Sequence, residues 1–282
     1  MDHVLSTHLV VNHRLTTAVL DKILHAGIPA VEIFCLRQHV DYRNQAQIQE
    51  IGHWFRDSPL RLHSMHSPMF TDEVWGRSGR HSVIDISEPR KAQRIQHVDE
   101  VKRALEIAEY APFEYLIQHI GYDQDEYDER RLDAAFTSLE EIRIFARQRG
   151  VEVLVENIPN AFSSAQRLVE FLRMTHLTIG FCFDTGHANL NEGVEEAFET
   201  MKDRIRSTHV HDNDGKRDSH LFPMYSEGGT INWGRTMDLF RSCPGQFPLV
   251  LELKEQPGVE NPFRVARQVF DALEQVTANV ER

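Results

Sequence analysis

The chain has 282 residues, 41% of them hydrophobic and 26% charged, with a formal net charge of −12. That composition is globular and supplies a full core, while the acidic balance argues against broad binding of nucleic acid, whose phosphates need local positive potential. No run of about 18 apolar residues marks a membrane span, "MDHVLSTHLVVNHRLTT" lacks the pattern of a signal peptide, and three scattered cysteines (Cys35, Cys182, Cys243) speak against a disulfide framework, so a cytoplasmic protein is expected.

In chain order, β-rich runs alternate with helical segments. The spacing predicts strand 5–11, helix 16–26, strand 29–34, helix 44–57, strand 60–66, helix 91–111, strand 113–120 and helix 126–149. It continues with strand 151–156, helix 163–175, strand 178–184, helix 193–203, strand 206–211, helix 233–242, strand 248–252 and helix 261–277. Helix 91–111 repeats Ile95, Val98, Val101, Leu105 and Ala108 at three- and four-residue spacing, one buried face, and Gly150 is a natural stop for the helix before it. Eight strand–helix units point to the α/β class and a (β/α)8 TIM barrel over a single domain, 1–282. A doubly wound open sheet is the alternative, but "LVVNHRLTT" lacks the Gly-rich turn expected after its first strand. The long connection 67–90, "SPMFTDEVWGRSGRHSVIDISEPR", is either a lid or a disordered insertion, with Trp75, Arg77, Arg80 and His81 available to touch a substrate.

In such a barrel the active site lies at the C-terminal ends of the strands. Those ends carry His66, His119, Glu156, Asp184 with His187, His209 with His211, then Asp218 and His220, and Glu252. Imidazole nitrogen and carboxylate oxygen are ligands of divalent metals. Converging carboxylates without a cation would repel one another and lose hydration. By themselves Glu32, His8 and His63 read as salt-bridged or hydrogen-bonded packing residues, and the glycine of "FDTGH" reads as a tight turn. "SEGG" at 226–229 reads as a turn before a helix capped by Asn232 rather than as a phosphate cradle.

The motifs "HSMHSP" (63–68), "LVENIPN" (154–160), "FCFDTGHANL" (181–190), "HVHDND" (209–214), "SEGGTINW" (226–233) and "LVLELKE" (249–255) resemble the xylose isomerase-like TIM-barrel superfamily. It holds sugar isomerases and epimerases together with endonuclease IV. The resemblance implies a divalent metal at Glu156, Asp184, His209 and Glu252, with Glu156 and Glu252 as the catalytic proton-transfer pair. The cation would polarise the carbonyl of a sugar or polyol through an enediolate-like intermediate. The histidine content favours manganese, zinc or cobalt over magnesium. One ion is the expectation. The endonuclease IV branch implies up to three zincs, adding His66, His119, His187, Asp218 and His220, with His211 as a further metal or substrate ligand. The alternative function is therefore a multinuclear zinc phosphodiester hydrolase on abasic DNA. Where that branch has His-Pro-Gly this chain has "QHIGYDQ", which counts against it. A non-catalytic sugar-binding protein is a third reading, and pairing of copies is expected from related barrels.

Overall fold

Eight short strands pair side by side in parallel: β1 (His3–Ser6), β2 (Ala30–Phe34), β3 (Arg61–His66), β4 (Tyr115–Gln118), β5 (Glu152–Glu156), β6 (Gly180–Asp184), β7 (Ile205–His209) and β8 (Leu249–Leu251). Their spatial order is β7-β6-β5-β4-β3-β2-β1-β8. A one-residue parallel bridge, Val210 to Leu251, brings the two end strands together and closes the ring. The coordinates are a computed structural model in which residues 1–277 are described, apart from 124, 244 and 246.

The helices are α1 (Thr17–His25), α2 (Gln45–Asp57), α3 (Lys91–Leu105), α4 (Glu129–Arg147), α5 (Ala165–Met174), α6 (Thr185–Leu190), α7 (Val194–Met201), α8 (Trp233–Ser242) and α9 (Pro262–Gln275). Their starts follow from the sequence. The side chains of Asn44, Asp128, Ser164, Asn232 and Asn261 each accept a backbone N–H from the first turn they precede. No helix among the described residues is long and apolar enough to cross a membrane.

Alternation along the strands divides two environments. Outward residues such as Leu5, Val31, Ile33, Val153, Val155, Phe181 and Phe183 pack under the helices in one continuous core. Inward residues fill the barrel in layers. Small apolar side chains, Val4, Ala30 and Val250, sit together low in the barrel, and Ile117, Leu154 and Cys182 form a second group. Above them the interior turns polar: Glu32, Ser64, His66, Glu156, Asp184, Ser207 and His209 are buried. Two register shifts set this upper layer. β2 pairs Val31 with Leu62 but Glu32 with Ser64, and β6 pairs Phe181 with Ile205 but Cys182 with Ser207. Each skips one residue of the neighbouring strand, the signature of a bulge that re-aims side chains beside a site.

The first expected strand is shorter than its β-rich run. Pairing stops at Ser6, and Thr7–Val10 turns into a 3-10 helix that Ser6 caps. The fourth stops at Gln118, so His119 stands just beyond it, and the seventh stops at His209, before His211. The sixth strand runs straight into α6, absent from the expected helices, because Asp184 accepts the His187 N–H and caps it. Ile95 is 49% exposed, not part of the buried face of α3. The polar Arg94 and His97 turn inward there instead, bonding Glu88 and Asp85. Connection 67–90 is built rather than disordered. Arg37 and Gln38 hold Thr71, Asp72 and Val74, Phe70 bridges Val83, and Arg80 pairs with Asp125.

Candidate metal centre

All the sequence-predicted ligands meet at the C-terminal mouth of the barrel, in groups whose potential ligand atoms lie within 4.8 Å of one another. Glu156, Asp184, His209 and Glu252 form the deepest group, all four buried. His66 and His119 form a second group that shares Glu156. His187, His211, Asp218 and His220 form a third. The side chains of His119 and Asp218, 15% and 35% exposed, are the parts of this constellation that solvent reaches.

Local structure explains why each side chain points inward. The Asn157 side chain donates to the Asp184 carbonyl (2.9 Å) and accepts its N–H (2.8 Å), locking the ends of β5 and β6 together. Strand alternation carries through the bridge at Val210, so His211 follows His209 inward although the strand has ended. Gly186 does not serve a tight turn. A Cβ there would lie 2.0 Å from His211 Cε1, so glycine makes room for that ring. His220 adopts φ = 46°, a left-handed conformation histidine tolerates, and its ring stacks on His211 with centroids 3.9 Å apart. "SEGGTINW" supports the mouth from outside. The Asp212 carboxylate accepts from Thr230 N, Ile231 N and Trp233 Nε1, and a Cβ on Gly229 would lie 2.4 Å from it. Asn232 caps α8 as expected.

The proton positions carry the chemistry. His66, His187 and His220 each place Nδ1 against a backbone carbonyl, of Ser67 (2.8 Å), Asn157 (3.0 Å) and Glu252 (2.8 Å). A carbonyl only accepts, so each Nδ1 carries the proton and, in the neutral ring, each Nε2 presents a lone pair. Those lone pairs face other acceptors. His66 Nε2 lies 3.2 Å from His119 Nε2 and 3.7 Å from Glu156 Oε2. His187 and His220 Nε2 lie 3.5 and 3.0 Å from Asp218 Oδ2. The Asp218 Oδ1 and Glu252 Oε1 atoms are buried without a hydrogen-bond partner. Lone pairs aimed at one another, with orphaned carboxylate oxygens among them, are the donor set of a cation site. The residues therefore fit the divalent ion that the sequence leads one to expect.

The titration behaviour has the same origin. Burial, with repulsion from Glu156, Glu32 and Asp184, pushes Glu252 up to about 8. Burial also works to raise Glu156, but the imidazoles of His209 and His119 hold it well below the usual carboxylate range. Burial opposes charging of His209, yet the Cys182 sulfur and the carboxylates of Glu156, Glu252 and Glu32 keep its pKa well above the ordinary value. Excess negative charge in a dry pocket asks for a positive partner, which is why these carboxylates hold the His209 imidazole toward its charged form.

Glu32 belongs to this centre, contrary to its reading as an ordinary salt-bridge residue. It is fully buried, accepts from Ser64 Oγ at 2.8 Å and faces His209 Nε2 at 3.2 Å. The signal was present in the sequence, a lone charge inside the otherwise apolar strand "AVEIF". His8 also lies at the mouth, its ring 4.6 Å from that of His220 and its Nδ1 on the Leu253 carbonyl. His63 lies instead next to Arg61, below the mouth.

Residues 20–276 match the family model described as a xylose isomerase-like TIM barrel. An uncharacterized protein of Methanocaldococcus jannaschii is 30% identical over 144 residues, 49% of this chain and 55% of that protein, so the chain spans about half the length of this relative. A probable endonuclease 4 of Natronomonas pharaonis is 24% identical over 207 residues, 66% of this chain and 72% of the relative. Among solved structures, a D-tagatose 3-epimerase-like protein superposes with a TM-score of 0.77 at 23% identity, covering 97% of this chain and 96% of that one. The chain thus belongs to the xylose isomerase-like TIM-barrel family.

Proposed function

We propose that the chain is a metal-dependent isomerase or epimerase acting on a sugar or related polyol. One observation carries the reading: two buried glutamates, Glu156 on β5 and Glu252 just after β8, converge with Asp184 and His209 on a single point. Those four residues would hold the ion, which when bound supplies a Lewis acid that acidifies the C–H beside a carbonyl. One glutamate carboxylate takes that proton from carbon onto its oxygen, and the other, carrying a proton, returns one to the product carbon. The His187, His211 and His220 rings orient hydroxyl groups at the mouth, and the buried walls keep water from the reacting carbon. The structural likeness to an epimerase-like barrel supports this reading at the level of the fold.

The test is solvent exchange. The protein is reconstituted with manganese, zinc or cobalt and incubated in D2O with a panel of ketoses and polyols, and carbon-bound deuterium is followed by NMR. Incorporation beside the carbonyl is expected. Binding of the same compounds with no exchange for any of them would leave a sugar-binding protein.

A second reading has its own observation. Beyond the deep group, His66 and His119 gather around Glu156 and His187, His211, Asp218 and His220 form a separate group, more ligands than one-ion chemistry needs. This supports a multinuclear phosphodiester hydrolase, as does the relative described as a probable endonuclease 4. Metal analysis separates the two: one tightly held ion favours the isomerase, whereas three ions with incision of abasic DNA favour the hydrolase.

A further inference from the structure

His209 differs from the other inward histidines. His66, His187 and His220 anchor Nδ1 on backbone carbonyls and turn Nε2 to the centre. His209 is reversed. Its Nδ1 faces the ligand group, 3.0 Å from Glu156 Oε1, 3.5 Å from Glu252 Oε2 and 3.8 Å from Asp184 Oδ2. Its Nε2 points away, toward Glu32, whose two carboxylate oxygens both lie 3.2 Å from it. Carboxylates only accept, so both ring nitrogens carry protons when no ion is bound; an ion among Glu156, Asp184 and Glu252 would displace the Nδ1 proton, while Nε2–H keeps its bond to Glu32.

The fold places Glu32 for this contact. The bulge between β2 and β3 skips His63 and sets Glu32 level with Ser64, whose hydroxyl donates to the same carboxylate at 2.8 Å. β2 itself alternates regularly, with Ala30 inward and Val31 outward, so the skip leaves Glu32 facing inward and brings Ser64 rather than His63 opposite it. The carboxylate is fully buried, and among the described residues its Oε1 has no hydrogen-bond partner and no guanidinium or ammonium is paired with it. A buried carboxylate is costly to keep without a cationic partner, and the partner set against Glu32 is the His209 ring. A metal-bound imidazole, made more acidic at the far nitrogen by the ion, is such a partner.

We infer that Glu32 is the positioning residue of the metal centre, fixing His209 as an Nδ1 ligand through a charged hydrogen bond to Nε2–H. The inference rests on the metal-dependent reading above. A charged acceptor behind the ring raises the basicity of the ligating nitrogen, whereas a carbonyl behind the others raises it less. The deep group, where the proposed proton transfer occurs, would therefore bind its ion more tightly than the His187–His211–Asp218–His220 group nearer the solvent.

The test titrates the full-length, metal-free protein with Co2+ and with Zn2+. For Glu32→Gln the Co2+ dissociation constant should rise about 10–100-fold at the tight site and the Co2+ d–d absorption should shift. The weaker site should keep its affinity. Unchanged tight affinity and an unchanged spectrum would overturn the role of Glu32. Should Glu32→Gln fail to fold, the wild-type protein decides alone. Imidazole 15N NMR of the Zn2+-loaded form should show His209 metal-bound at Nδ1 and protonated at Nε2, and the opposite arrangement overturns the inference. Wild-type protein that binds neither ion would instead remove the metal-dependent reading itself, an outcome distinct from the other two.

Discussion

Asp184 shows how much one side chain carries at this mouth. Its carboxylate caps α6 through the His187 N–H (2.7 Å), faces His211 at 3.1 Å and belongs to the deep ligand group. Asn also caps helices well, so Asp184→Asn should keep most of the fold. It should nonetheless abolish activity and weaken metal binding, because an amide is a poor ligand for these ions. Glu156→Gln should behave alike; circular dichroism and metal analysis on the same preparations check both, and a fully active Asp184→Asn enzyme contradicts the assignment. Gly186→Ala probes a different physics. The added methyl meets the His211 ring, and forced overpacking of this kind costs about 1–3 kcal/mol. Calorimetry should register that loss, and metal titration should show the outer group weakened more than the deep one.

At the scale of elements, connection 67–90 shows how a long loop is made rigid. Asp125 is its anchor, accepting from Arg80 (2.7 Å), Arg131 (2.5 Å) and the Tyr122 N–H (2.8 Å). Burial alone would raise the Asp125 pKa, but these donors hold it below the usual value. A depressed folded pKa contributes stability that is present above the unfolded pKa and is lost as pH falls through the folded value. Amide exchange in 70–85 should therefore rise below about pH 4, where free aspartate begins to protonate. Asp125→Asn should raise exchange already at neutral pH, costing about 1–3 kcal/mol locally, and should flatten that acid dependence. If wild type and variant exchange alike across the range, Asp125 does not hold the loop. The Trp75 side chain, available on this loop to touch a substrate, is 44% exposed.

The whole molecule is a barrel whose apolar lower layers support a charged upper one. Phe183 is fully buried on the outward face of β6, edge-on to Phe198 of α7 and Phe240 of α8. Phe183→Ala should destabilise by about 3–5 kcal/mol in denaturant melts without changing which metal is bound. An ion at the proposed centre would act on the same balance from the other side. A ligand at a hundredfold excess over its dissociation constant stabilises the folded state by about 2.7 kcal/mol. At roughly 2–4 °C per kcal/mol for a domain of this size, removing the metal with a chelator should lower the melting temperature by roughly 5–10 °C. A melting temperature indifferent to chelator would show that the centre holds no ion tightly.

The sequence by itself determined the alternation of strands and helices, the caps, and the ligand types at the strand ends, because periodicity and capping are local properties of the chain. It also carried the family motifs, and with them most of the centre. Tertiary structure alone decided three things. Bulges moved Glu32 and Asp184 into register with Ser64 and His209, and a one-residue slip is invisible in a hydrophobic pattern. The approach of His211 gave Gly186 its purpose, a contact across 25 residues that no local turn rule contains. The carbonyls and carboxylate behind each imidazole fixed which nitrogen is free, since a ring's tautomer is set by whatever the fold brings to its far side.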